Sequence, residues 1–106
     1  VILSRTDGLS VDEMKEMSDE LVGNAGEKTL VLLACGGDKA GFVLKLSGDL
    51  VKKGLHAGKL IKDVAKIAGG SGGGRPDMAT AGGKDVEKID QALSEAEKLI
   101  AQALNG

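Results

Sequence analysis

Apolar and polar positions follow different rhythms along the chain, and each rhythm predicts an element. Val1 to Leu3, continuing toward Arg5, is a short apolar run of strand length. Ser10 then stands at an N-cap position with Glu13 three residues on, the reciprocal pattern of a capping box. Behind it Val11, Met14, Met17, Leu21 and Val22 recur at helical spacing, with acids on the opposite face, and Gly23-Asn24-Ala25-Gly26 ends the helix. Thr29 to Cys35 is an apolar run of strand length, which predicts a central strand buried on both faces. Gly36 to Gly41 reads as a turn and Phe42 to Leu46 as the hairpin partner. Leu50 to Lys53 suffices for one helical turn or a loop.

From Ala57 to Ala68 the helical rhythm returns. Leu60, Ile61, Val64, Ile67 and Ala68 face inward, Lys59, Lys62, Asp63 and Lys66 face outward, and Gly69-Gly70 stops the helix. Gly69 to Gly83 reads as a glycine-rich loop, with Met78 to Ala81 a short extended segment inside it. Asp85 caps a last helix to about Leu104, with Val86, Ile89, Leu93, Ala96, Ile100 and Ala103 as its apolar stripe. The order β-α-β-β-α-loop-α predicts an α/β (α+β) fold, a small mixed sheet of about three to five strands with helices packed on it. No repeat or linker divides the chain, so residues 1–106 form a single domain with one modest core.

Composition narrows the chemistry. One Phe, no Trp and no Tyr leave an aliphatic core and argue against stacking of bases on aromatic platforms; Phe42 reads as core. The lone Cys35 lies in an apolar run and reads as a small buried hydrophobe. A catalytic thiol would need a histidine, and nothing in the sequence brings His56, the only one, near it. Without cysteine pairs a reducing compartment such as the cytosol is expected. No apolar run approaches the ~20 residues of a membrane span, and the start lacks the pattern of a signal peptide. An opening on Val-Ile-Leu without Met predicts a fragment of a longer protein. No His/Cys cluster of zinc-binding type exists, and no paired carboxylates mark an active site.

The net charge of −2 conceals a segregation. Residues 1–27 carry two bases against seven acids, residues 39–75 carry seven Lys and Arg75 against Asp49 and Asp63, and residues 76–106 carry three Lys against six acids. A basic middle between acidic ends is the electrostatic footprint of polyanion binding, although a solvated lysine-rich surface gives the same sum.

Seven of the seventeen glycines and the single proline fall between Gly69 and Gly83. Gly72-Gly73-Gly74 has no side chains, so its backbone N–H groups could approach a partner closely, and Arg75 offers a planar fork suited to phosphate. A tight structural crossover with Arg75 paired to Asp77 reads the same residues differently. The stretch follows a helix, not a strand, which excludes a dinucleotide fingerprint, and Gly83-Lys84-Asp85 lacks the Ser/Thr of a phosphate-binding P-loop. His56, just before a helix and among lysines, reads as exposed or as a cap.

The run Gly69-Gly70-Ser71-Gly72-Gly73-Gly74-Arg75-Pro76-Asp77-Met78-Ala79-Thr80-Ala81-Gly82-Gly83 resembles the signature near the carboxy terminus of alanyl-tRNA synthetases, and Gly58-Lys59-Leu60-Ile61 with Val64-Ala65 is similar to the helix leading into it. The resemblance covers essentially the whole chain, with one departure at Thr80, where the family usually carries Gln. It implies a carboxy-terminal tRNA-binding module without an active site of its own, cut from an ATP-dependent alanine–tRNA ligase of the cytoplasm. The parent would use ATP and Mg, with zinc possible in its editing domain; the fragment itself needs no cofactor. The implied partners are tRNA(Ala), gripped at its elbow so that charging and editing act on one bound molecule, and the other domains of the synthetase. Homodimerisation would belong to the full-length protein, and the fragment is expected to be a monomer with no membrane contact. Nucleic-acid contacts are expected at Lys52, Lys53, His56, Lys59, Lys62, Lys66, Gly72, Gly73, Gly74 and Arg75. Two alternatives remain: the substrate-binding domain of a phosphoesterase, which the resemblance also includes but where Arg75 replaces a His, and a dimerisation module built on the last helix.

Overall fold

The computed structural model describes residues 2–25, 28–37 and 39–105. Its elements are β1 (Ile2–Arg5), α1 (Val11–Ala25), β2 (Leu30–Cys35), β3 (Ala40–Leu46), α2 (Gly48–Lys52), α3 (Ala57–Ile67), β4 (Ser71–Gly74), β5 (Met78–Gly83), a single 3-10 turn (Val86–Lys88) and α4 (Ile89–Asn105). The five strands form one mixed sheet in the order β1-β2-β3-β5-β4, with β1 parallel to β2 and every other pair antiparallel.

The strand pattern explains the layering. Side chains of a strand alternate between faces, so β2 sends Leu30, Leu32 and Ala34 to one side and Val31, Leu33 and Cys35 to the other, all of them buried. On the first side they meet Phe42, Leu44 and Leu46 of β3 and the apolar stripes of α3 and α4, including Ile61, Val64, Ile89, Ala96 and Ile100. On the second they meet Val43 and Met14, flanked by Val11, Met17, Leu21 and Val22 of α1. Phe42, the chain's single Phe among no Tyr or Trp, is fully buried, as its position predicted. Cys35 is free and buried, and burial pushes its thiol up from its ordinary value. It lies on the α1 side, whereas His56 caps a helix of the opposite layer, so no thiol–imidazole pair forms.

The capping box is present as the spacing predicts: the Glu13 amide donates to Ser10 Oγ and the Ser10 amide donates to Glu13 Oε1, each at 3.1 Å. α1 ends at Ala25, within the Gly23-Asn24-Ala25-Gly26 stretch expected to stop it, while Val1, Gly26 and Asp38 lie outside the described residues. Asp85 precedes the last helical segment, but its carboxylate makes no capping hydrogen bond, and a 3-10 turn comes before α4.

One expectation is corrected. Gly69 to Gly83 is not a loop but a β-hairpin, β4 and β5, at the edge of the sheet. Glycine disfavours strands, so propensity alone hides β4; its neighbours impose it. Gly69, at φ +72°, ends α3, with the Gly70 amide donating to the Ala65 carbonyl at 2.9 Å and that of Gly69 to Lys66 at 3.1 Å, the paired bonds of a Schellman motif. At the other end the Arg75 amide donates to the Met78 carbonyl and the Ala57 amide to that of Pro76, both at 2.9 Å, tying the hairpin tip to the start of α3.

Candidate nucleic-acid interface

α3 crosses one face of the sheet at the hairpin edge. Its Ile61, Val64 and Ala65 are buried while Lys59, Lys62 and Lys66 are exposed along the outer surface, with Asp63 among them. Lys52 and Lys53 close α2, both exposed. The ion pairs of the described residues engage Arg5, Lys45, Arg75, Lys88 and Lys98. None engages the five lysines of α2 and α3. The opposite layer contrasts with this: Asp12, Glu13, Glu16, Asp19 and Glu20 of α1 all face solvent.

His56 occupies the N-cap of α3, where its Nδ1 accepts the Lys59 amide at 3.3 Å. The capping reading of this residue is therefore the one the geometry fulfils, and its ring also lines a shallow hollow with Lys53, Leu55, Lys59, Leu60 and Ala103 of α4. A second hollow brings Lys62 and Lys66 beside Ser71 and Gly72. A third lies at the hairpin tip, where Gly73, Gly74, Arg75 and Thr80 meet Lys15. The ten residues expected to touch nucleic acid thus do not form one pocket. They distribute along a ridge from α2 over α3 to the hairpin, with Lys52 outside all three hollows.

Arg75 is 76% exposed and stands 3.9 Å from Asp77, so the expected pairing exists only as a long contact and leaves the guanidinium in solvent. Asp77 is held by a nearer cation: Lys45 Nζ lies 3.3 Å from it and 3.3 Å from Asp19. Burial raises the Asp77 carboxyl most, yet the hydrogen bond and charge of Lys45, aided by Arg75, leave it below the ordinary carboxylate value.

The glycines are largely explained by packing. A Cβ at Gly70 would collide with the Gly82 carbonyl, one at Gly72 with Ala81, and one at Gly58 would stand 2.9 Å from the Gly74 oxygen. Gly73 differs, since a Cβ there meets only Lys62 Cε at 3.6 Å. The sequence reading missed Lys15, isolated among the acids of α1, and Lys39 and Lys84, which flank Gly69, Gly70, Ser71 and Gly82 at the base of the hairpin. Their only sequence signal was charge; register and topology bring them to the glycines. Among the described residues no group of three or more His, Cys, Asp or Glu could hold a metal, and no helix is long and apolar enough to cross a membrane.

Comparison with known proteins identifies the domain type. The DHHA1 domain family matches residues 1–102. The chain is 45% identical over its whole length to the alanine–tRNA ligase of Acetivibrio thermocellus, and 48% identical over 94 residues, 89% of the chain, to that of Exiguobacterium sibiricum. It spans 12% and 11% of these two relatives. Among solved structures, the C-Ala domain of Aquifex aeolicus alanyl-tRNA synthetase superposes with a TM-score of 0.83 and 32% identity, covering 99% of this chain and 90% of that one. A DHH-domain structure from the s1p family of ribosomal proteins superposes over 88% of this chain and 21% of that one, with a TM-score of 0.60 at 20% identity, which shows a shared fold alone. The chain belongs to the DHHA1 domain family, and within it to the kind that forms the carboxy-terminal C-Ala domain of alanyl-tRNA synthetase.

Proposed function

We propose that this domain is the tRNA-binding module of an alanine–tRNA ligase, that it grips the elbow of folded tRNA(Ala), and that it thereby helps aminoacylation and editing act on one bound molecule. Ligation itself, with its ATP and Mg, belongs in this reading to other domains of the same cytoplasmic enzyme. The observation that carries it is the ridge of lysines on α2 and α3, which makes no close ion pair among the described residues and is continued by the exposed Arg75. Such cations neutralise phosphates, which gives affinity and a steep salt dependence but little base reading. The burial of the single Phe and the absence of Tyr and Trp support recognition by RNA shape and backbone.

The test is a titration of the 106-residue chain with folded tRNA(Ala) across a salt series, joined to nuclease footprinting. Folded tRNA is expected to bind more tightly than short single strands, with log K falling linearly with log salt and protection centred on the elbow. Equal or better binding of short single strands would sink the proposal and favour a phosphoesterase-type substrate domain.

A further inference from the structure

The hairpin has a second face, on the α1 side. Val43 packs in the α1-side core and pairs with Thr80, while Lys45 pairs with Met78, so Thr80 and Met78 look toward α1. The buried members of that core come only from α1, β2 and β3. Over the hairpin tip a hollow of about 180 Å³ opens instead, lined by Lys15 of α1, by Gly73, Gly74 and Arg75, and by Met78, Ala79 and Thr80 of β5.

Lys15 is the only base in α1. Its side chain is half-buried beside the hairpin and makes no ion pair with a described residue. The acids nearest this face share one close cation, with Lys45 Nζ 3.3 Å from both Asp19 and Asp77, and Asp77 also makes the 3.9 Å contact with Arg75. Two cations from separate parts of the fold, Lys15 and the 76% exposed Arg75, flank a hollow that Gly73 and Gly74 line without side chains on one strand and Met78, Ala79 and Thr80 line on the other, with the Thr80 hydroxyl as a further donor. β4 is an end strand of the sheet, and Lys62 and Lys66 stand beside Ser71 and Gly72 on its other side.

We infer that Lys15 and Arg75 together hold one phosphodiester group of the RNA bound by the α3 ridge, the strand passing over the free edge of β4 from one layer of the domain to the other. This rests on the tRNA-binding reading and adds to it a contact from the acidic helix. A phosphate between two cations gains two charge-assisted hydrogen-bond partners, and the bare backbone lets it approach closely.

The experiment compares the 106-residue chain with Lys15→Met, Lys15→Arg, Arg75→Met, the Lys15→Met/Arg75→Met double variant, the Lys62→Met/Lys66→Met pair and Lys98→Met, each titrated with folded tRNA(Ala) in a salt series. Lys15→Met is expected to weaken binding about fivefold to tenfold and to lower the log–log salt slope by about one, with Lys15→Arg retaining both. The double variant should lose less than the product of its single losses, because the two side chains share one phosphate. The midpoint of unfolding of Lys15→Met should match wild type, since Lys15 makes no ion pair with a described residue, and that of the double variant should match Arg75→Met, which loses only the long contact to Asp77. If Lys15→Met behaves as Lys98→Met while the Lys62/Lys66 pair still weakens binding, the inference fails and the ridge stands. A double variant equal to the product would separate the two cations and overturn the shared site. Failure of the wild-type chain to bind tRNA would remove the functional reading and this inference with it.

Discussion

His56 shows how one side chain fixes an element and faces a candidate site together. Its Nδ1 must be unprotonated to accept the Lys59 amide at 3.3 Å. His56→Ala is expected to lower the unfolding free energy by about 1 kcal/mol, the usual worth of an N-cap, and His56→Asn to restore most of it, both read from urea unfolding. Equal stability of the Ala variant would remove the capping role. Because Asn keeps the cap and deletes the ring, a loss of tRNA affinity in that variant belongs to the imidazole itself. Asp49, in the first turn of α2, instead ties that helix to the segment before β2. Its carboxylate accepts the Ser47 hydroxyl at 2.6 Å and the Lys28 amide at 2.9 Å, and the Ser47 bond is the main reason its pKa lies below the usual value. A carboxyl depressed in the folded state contributes stability that is full above the unfolded value of about 3.9 and is lost as the pH falls through the depressed value. Asp49→Asn should therefore flatten that part of the acid limb of a stability–pH curve, and an unchanged limb would contradict the assignment.

At the scale of elements the hairpin decides between scaffold and docking backbone. Gly70→Ala places a methyl on the Gly82 carbonyl, and overpacking of this kind costs about 1–3 kcal/mol or more. Gly73→Ala meets only ordinary contact and should be neutral or stabilising by up to about 1 kcal/mol. Thermal unfolding checks both, and a Gly73→Ala chain that is stable yet binds tRNA poorly would assign Gly73 to close approach of the ligand. These positions also mark where the sequence was legible. The β2 run, the capping box and the stripes of α1, α3 and α4 could be read because burial imposes a period on the side chains. β4 could not, because four residues reading Ser-Gly-Gly-Gly carry no period, and their strand conformation comes from β5 and α3. Lys15 was missed for a related reason: on its own helix it is one base among acids, and only the sheet order sets it beside Arg75.

For the molecule as a whole, Lys59, Lys62 and Lys66 changed together to Met should reduce the log–log salt slope of tRNA binding by about three and leave the unfolding midpoint nearly unmoved, because none of the three is ion-paired among the described residues. A slope that stays as steep would show that the ridge does not carry the affinity. The two-layer distribution of charge has a further consequence for the approach to RNA. A chain with net charge −2 would, as a point charge, be repelled by a polyanion. The acids of α1 set against the bases of α3 instead give it a dipole moment across the sheet, which Asp90, Glu95 and Glu97 of α4, in the same layer as α3, reduce without cancelling. Even the smallest principal extent, 20 Å, exceeds the Debye length of about 8 Å at physiological ionic strength. A phosphate near the lysines is thus shielded from the carboxylates behind the sheet. At lower ionic strength the same dipole exerts a torque, turning the domain so that α3 leads before any contact is made.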